Sequence, residues 1–150
     1  MTVAWVFPGQ GSQAVGMGGD LATSAAGRER FALASDLLGR DLAAICDGSA
    51  AGDLTDLNDT RNTQPALFVV ESLLVDGLLA QGRRPDLLAG HSLGELVALY
   101  AGGVIDAATG LALVIERSRL MATAGGGAMT AVMGFERSEL EALVAASEGV

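Results

Sequence analysis

Asp86-Leu87-Leu88-Ala89-Gly90-His91-Ser92-Leu93-Gly94-Glu95-Leu96-Val97-Ala98-Leu99-Tyr100-Ala101 joins a short apolar run, a Gly-x-Ser-x-Gly pentapeptide and a stretch with helical spacing. A strand that feeds a helix through two glycines makes a tight turn, with Ser92 at its apex and the hydroxyl pushed out of the fold. The flanking glycines remove side chains that such a turn would bring into collision. Leu93, the residue after the serine, can then offer its backbone N–H to a developing oxyanion at the helix N-terminus. The same residues allow a plainer reading. Ser92-x-x-Glu95 is also a capping box, in which the hydroxyl only caps the helix. Glycine on both sides of the serine is what the cap leaves unexplained, so Ser92 reads as a nucleophile.

Elements alternate on both sides of this turn. Val3-Ala4-Trp5-Val6-Phe7 predicts a buried first strand, closed by Pro8-Gly9 and followed by the glycine-rich turn Gln10-Gly11-Ser12-Gln13. Helical spacing runs from about Leu21 to Leu38, then over Leu42 to Cys46, before a polar stretch from Asp47 to Asn62. Thr63-Gln64-Pro65 opens the next helix, with proline near the first helical position; from Ala66 to Leu79 it is apolar almost all round, the pattern of a buried helix. Past the serine, Asp106 is the expected N-cap of a helix reaching Ala124. Gly125-Gly126-Gly127 predicts a hinge, Met129 to Met133 a strand, and Ser138 to Ala146 a helix opened by a Ser-x-x-Glu capping box. Strand and helix in alternation predict an α/β fold with a mainly parallel sheet. One strand and one helix after the hinge cannot make a domain, so the pattern predicts a subdomain that begins here and is cut off.

Composition narrows the function. A chain of 150 residues, half of them hydrophobic and 18% charged, can bury one real core and is not disordered. Its net charge of −9 argues against non-specific nucleic-acid binding, which needs a basic stripe. All nine basic residues are arginine, which excludes a lysine Schiff base and a P-loop lysine within these residues. The single cysteine, Cys46, allows no internal disulfide and no cysteine-based zinc site. No continuous apolar run approaches the ~18 residues of a membrane span, and the first strand lacks a basic leader. The expectation is a cytoplasmic protein.

Three further residues are candidates for the site. His91 is the only histidine. Adjacent side chains on a sharp turn point apart, so it is expected to pack and hydrogen-bond beside the elbow rather than serve as base to Ser92. Arg117 has apolar neighbours at helical spacing, Leu113, Val114, Leu120 and Met121. That fits a guanidinium waiting for a carboxylate, and equally an arginine whose stem covers core. Arg119 and Glu116 form an ordinary surface pair. Gln10 follows the first strand at the carboxyl end of the predicted sheet, where ligands gather. Its backbone fits a second oxyanion donor, or an unremarkable loop.

Phe7-Pro8-Gly9-Gln10-Gly11-Ser12-Gln13, Thr63-Gln64-Pro65-Ala66-Leu67, Gly90-His91-Ser92-Leu93-Gly94-Glu95 and Arg117, 25 residues past the serine, occur in that order. Together with Ala101-Gly102-Gly103-Val104-Ile105-Asp106 and Gly127-Ala128-Met129 they resemble the malonyl-CoA:acyl carrier protein transacylase family. The resemblance implies an α/β-hydrolase-like large subdomain, here residues 1–126, and the start of a small ferredoxin-like subdomain, residues 127–150. It implies Ser92 as nucleophile, the backbone N–H groups of Gln10 and Leu93 as oxyanion donors, and Arg117 as the partner of the malonyl carboxylate. Malonyl-CoA would be the donor and acyl carrier protein the acceptor, with no metal or redox cofactor. Leu93 is a residue type of malonyl-selective relatives. The family's histidine base lies in its second half, so the 150 residues are expected to need a C-terminal remainder and to be inactive alone. Two alternatives stay open on the residues themselves: a serine hydrolase that passes the acyl group to water, and an inactive piece of a split assembly.

Overall fold

The computed structural model describes residues 2–124 and 132–147. Within them run β1 (Ala4–Phe7), α1 (Gly19–Thr23), α2 (Ala25–Leu38), α3 (Leu42–Asp47), α4 (Thr60–Ala80), β2 (Leu87–Gly90), α5 (Gly94–Ala101), α6 (Ala107–Thr123) and α7 (Arg137–Ala146). The two strands pair in parallel, Ala4 opposite Leu87 and Phe7 opposite Gly90, across the long helical crossover. The α/β class with a parallel sheet is therefore correct. The glycine hinge, the division between residues 126 and 127 and most of the Met129–Met133 strand lie outside the described residues. Val132 and Met133, which are described, are in no strand.

Helix α4 is the centre. Every residue from Asn62 to Leu73 is buried, and the helix packs against α6, α5, α2 and α3. Its Phe68 and Val69, at 0% exposure, join Leu93, Val97, Leu111 and Val114 in one cluster. Side chains of this size contribute about 1.5–3 kcal/mol each on burial. By length and composition α4 could cross a membrane, contrary to the sequence expectation, but 61% of the qualifying window is buried within the protein.

Its start was misjudged. The helix begins at Thr60, where Asp59 accepts a hydrogen bond from the Arg61 N–H, and Pro65 lies inside it. Proline has no N–H to give the carbonyl four residues back. That carbonyl, of Arg61, instead accepts from Arg40 Nη2 at 2.9 Å. Arg40 Nε also donates to Asn62, whose amide reaches the carbonyls of Leu54 and Asp56. The polar loop before α4 is thereby tied to it.

Other departures are local. The helix expected from Leu21 to Leu38 is two, because Ser24 is extended and its hydroxyl caps α2 by accepting from Gly27 N–H. The Ser138 capping box does not form; Glu136 is the N-cap residue without a side-chain bond, and Glu141 pairs with Arg137 at 2.7 Å. The first strand is not buried: only Phe7 is, and Val6 is 72% exposed. Asp106 caps α6 through the Thr109 N–H, as expected.

Most buried side-chain polar atoms are paired. The described exception is Glu71 on α4, 7% exposed, with both carboxylate oxygens buried and without a partner. Burial alone pushes its carboxyl up to about 7 from an ordinary value near 4.5. An acid whose folded value is raised favours folding fully below the unfolded value, where both states hold the proton. That advantage is lost as pH rises from about 4.5 to about 7, and is gone above. Chemical denaturation of the 150-residue chain should show stability falling by about 3 kcal/mol between pH 4.5 and pH 7. Glu71→Gln should flatten that slope; an unchanged slope in the variant assigns it to another group.

Candidate active site

Three residues, 91–93, separate β2 from α5 and must turn the chain back on itself. Ser92 does so with φ at 56°, the left-handed region that costs an L-residue about 1–2 kcal/mol. The glycines are required by close approach. A Cβ on Gly90 would fall 2.1 Å from the Gly94 carbonyl, and one on Gly94 would fall 2.2 Å from the Phe7 carbonyl oxygen at the end of β1. The turn is closed by the Gly94 N–H on the His91 carbonyl and the Glu95 N–H on the Ser92 carbonyl. Leu93, not Ser92, occupies the N-cap position, and α5 has no side-chain cap. The capping box is therefore not what holds the serine.

Its hydroxyl meets Arg117. Nη2 of Arg117 donates to Ser92 Oγ at 2.8 Å, and Nη1 donates to Oε1 of Gln64. Gln64, fully buried, passes the contact on: its Nε2 donates to Thr60 Oγ1 at 2.8 Å and lies 3.3 Å from Met121 Sδ. The Thr60 hydroxyl donates to Oε1 of Gln10 at 2.9 Å. An unbroken chain of hydrogen bonds thus joins Gln10, Thr60, Gln64, Arg117 and Ser92. It brings together the loop after β1, the first turns of α4, the middle of α6 and the elbow. Three of the five sequence candidates, Gln10, Arg117 and Ser92, lie on it; Leu93 is fully buried next to the serine and His91 stands apart.

Among the described residues Arg117 is held by neutral partners alone. No described acidic side chain pairs with it, and its apolar flank is only partly core: Val114 is buried, while Leu113, Leu120 and Met121 are 46%, 52% and 42% exposed. The guanidinium keeps further N–H groups beyond the two engaged. Among the described residues, the backbone N–H groups of Gln10 and Leu93 have no acceptor. Gln10, Thr60, His91, Ser92 and Met121 line a cleft of ≈ 380 Å³. A larger hollow of ≈ 570 Å³ beside α2 and α3 shares no residue with it and holds neither Ser92 nor any residue of its hydrogen-bonded chain.

His91 departs from expectation. Its side chain is exposed and makes no hydrogen bond among the described residues; its backbone N–H donates to the Phe7 carbonyl and its carbonyl accepts from Gly94. The turn sends Ser92 toward α6 and His91 out beside Gly9. Cys46 is no rival nucleophile, being buried with its thiol pushed up to about 12. The Arg119–Glu116 pair is present at 2.6 Å and exposed. No three described His, Cys, Asp or Glu side chains cluster to hold a metal ion. Thr60 and Gln64 were missed as functional residues. Arg61, Asn62 and Thr63 between them are polar as well, and the site partners of Gln64 and Thr60 lie 53 and 50 residues away, so no short pattern marks them.

The acyl transferase domain profile matches residues 4–148. A malonyl CoA-acyl carrier protein transacylase of Synechocystis is 52% identical over 141 residues, which are 94% of this chain and 47% of that protein. The crystal structure of the Synechocystis malonyl-CoA:ACP transacylase superposes with a TM-score of 0.87 at 49% identity, covering 99% of this chain and 49% of that one. A type II polyketide synthase acyl-carrier protein in complex with its malonyl-transacylase gives 0.71 at 44% identity, covering 81% of this chain and 39% of that one. The chain spans about half the length of the Synechocystis relative.

The strained backbone at residue 92 has a measurable signature. Ser92→Ala and Ser92→Gly both remove the hydroxyl, but only glycine relieves the Cβ at positive φ. Thermal or chemical unfolding should find the glycine variant more stable by about 1 kcal/mol, the reverse of the usual order. Alanine equal to or above glycine would mean that the serine is not held in the left-handed region.

Proposed function

The chain belongs to the acyl transferase domain family, and we propose that it supplies the nucleophile, the oxyanion donors and the carboxylate clamp of a malonyl-CoA:acyl carrier protein transacylase. The observation that carries this reading is the 2.8 Å hydrogen bond from Arg117 to Ser92. A cation at that distance offers nothing to a simple fatty acyl group. It suits an acyl group whose own carboxylate lies one methylene from the reacting carbonyl. Gln64 holds one arm of the guanidinium, and the remaining N–H groups can grip a carboxylate by two parallel bonds.

The reaction has two halves. Ser92 Oγ attacks the thioester carbonyl of malonyl-CoA while a general base takes the hydroxyl proton. The oxyanion lies between the backbone N–H groups of Gln10 and Leu93, each worth about 10²–10³ in rate. The C–S bond breaks and coenzyme A leaves with the proton as its thiol. The malonyl-serine ester waits with its carboxylate on Arg117. The phosphopantetheine thiol of acyl carrier protein then attacks the ester carbonyl, and Ser92 leaves and regains its proton, giving ping-pong kinetics. Neither half needs a metal or a redox cofactor, the coenzyme A thioester being a substrate.

His91 points away from the hydroxyl, so the base comes from outside these residues, a histidine by family resemblance. In the same reading residues 1–126 belong to an α/β-hydrolase-like large subdomain and 127–150 open a ferredoxin-like small one. The enzyme works in the cytoplasm. The similarity to a malonyl-transacylase caught with its acyl-carrier protein supports the acceptor.

Two measurements test this on an enzyme assembled with the other half of the fold. Malonyl-CoA without acceptor should add one malonyl mass to the peptide carrying Ser92, and Ser92→Ala should abolish it; an adduct that survives the substitution refutes the nucleophile. Arg117→Ala should reduce the preference for malonyl-CoA over acetyl-CoA by about tenfold or more. An unchanged ratio removes the clamp.

A further inference from the structure

The chain between β1 and α1 opens with a tight turn. The Gly9 carbonyl accepts from the Ser12 N–H at 3.3 Å and from the Ser12 hydroxyl at 2.8 Å. A trans peptide points its C=O and its N–H in opposite directions, so these bonds aim the Gln10 N–H away from the turn. The same peptide lies against the elbow: a Cβ on Gly9 would fall 2.6 Å from the His91 carbonyl oxygen and 3.5 Å from Ser92 Cβ. Packing does not hold the tip of this turn. Gly11 has φ at 111°, and a Cβ on it would meet nothing within 4 Å.

Hydrogen bonds hold it instead. The Gly11 N–H donates to Gln13 Oε1 at 2.7 Å, and Gln13 Nε2 donates to Asn58 Oδ1 at 3.0 Å. Asn58 is itself fixed on Asp56 Oδ1, through its backbone N–H at 2.8 Å and its side-chain amide at 3.2 Å. The Gln13 amide thus joins the residue after Gln10 to a loop 45 residues further on, just before Thr60, which holds the Gln10 side chain.

We propose that Gln13 is a positioning residue: its amide, bridging Gly11 and Asn58, holds the Gln10 N–H where it meets the oxyanion formed at Ser92. The oxyanion rests on the transacylase reading; the bridge rests on distances within these residues. A glutamine that only decorated the loop would leave its amide to water. This one spends its oxygen on the turn and its nitrogen on the far loop, which fixes one against the other. Placement matters because a displacement of about 1 Å can cost about 10² in rate. The thioester carbonyl carries little charge before attack, so the donor acts chiefly in the transition state. Its displacement slows acylation without weakening the binding of malonyl-CoA.

The test uses the enzyme assembled with the other half of the fold, carrying Gln13→Met, Asn58→Ala or both. Gln13→Met keeps the side-chain length and removes both bonds. Asn58→Ala, at an exposed residue, cuts the bridge at its far end and carries the test should Gln13→Met fold poorly. Malonylation of Ser92 at saturating malonyl-CoA should slow about tenfold in Gln13→Met and about threefold in Asn58→Ala. The half-saturating concentration should change less than about twofold in both. The double variant should be no slower than Gln13→Met, because the two substitutions break one bridge. Hydrogen exchange at the Gly11 N–H should accelerate about tenfold in Gln13→Met. An undiminished acylation rate, a change confined to half-saturation, a double variant slowed by the product of the single losses, or unaltered Gly11 exchange overturns the proposal. Gly11 exchange involves no acyl transfer, so it reports the bridge separately. No adduct at Ser92 in the unsubstituted enzyme defeats the transacylase reading and the oxyanion role with it, whereas a normal adduct formed at full rate in Gln13→Met defeats the role of Gln13 alone.

Discussion

The Gln64 side chain is shut away from water, and an amide in that position must find its partners within the protein or destabilise it. It has found Arg117 on its oxygen and Thr60 on its nitrogen. Each partner leads to a different part of the cleft. Arg117 reaches the Ser92 hydroxyl, and Thr60 reaches the side chain of Gln10. Moving Gln64 would therefore release the guanidinium from the serine and the Gln10 loop from α4 together. Preorganisation of this kind, with donors fixed before any substrate arrives, is what gives electrostatic catalysis its force.

Gln64 can play that part because of how α4 is built. The Asp59 cap fixes where the helix starts, and that start decides which side chains face α6. Thr60 and Gln64, four residues apart, then share a face. Pro65 would normally weaken a helix so close to its head. Arg40 takes the carbonyl that proline leaves empty, and the same guanidinium anchors Asn62. At the far end Arg30 bridges Ser72 and Asp76 and lies over the ring of Tyr100. Polar contacts thus brace an apolar helix at both ends, and the site inherits its rigidity.

The elbow was legible because its signal is local. Glycine at residue 90 has a steric cause within five residues, the backbone of Gly94 and Glu95, whereas the cause at Gly94 is the distant Phe7 carbonyl and only the spacing of the pentapeptide gives it away. The cap at Asp106 was legible because it too is local. The start of α4 was not, because Pro65 is a strong helix-start signal and its rescue comes from Arg40, 25 residues earlier. Gln64 and Thr60 were hidden for a similar reason: their partners stand 53 and 50 residues away, so no short pattern could show them. Val6 was judged buried from composition, which registers apolarity but not whether a partner face is present.

Polar satisfaction also divides the molecule. Around Ser92 every buried side-chain donor and acceptor among the described residues has a partner within the chain, whereas beside β1 the Glu71 carboxyl has none. Stability explains neither end alone, since an unpaired buried carboxyl is a cost that an apolar residue would avoid. The Ser92 hydroxyl and the Arg117 guanidinium are positioned by contacts within these residues, so their geometry does not wait for anything to dock. In the transacylase reading proposed above, a serine aligned in this way still needs a general base before it attacks.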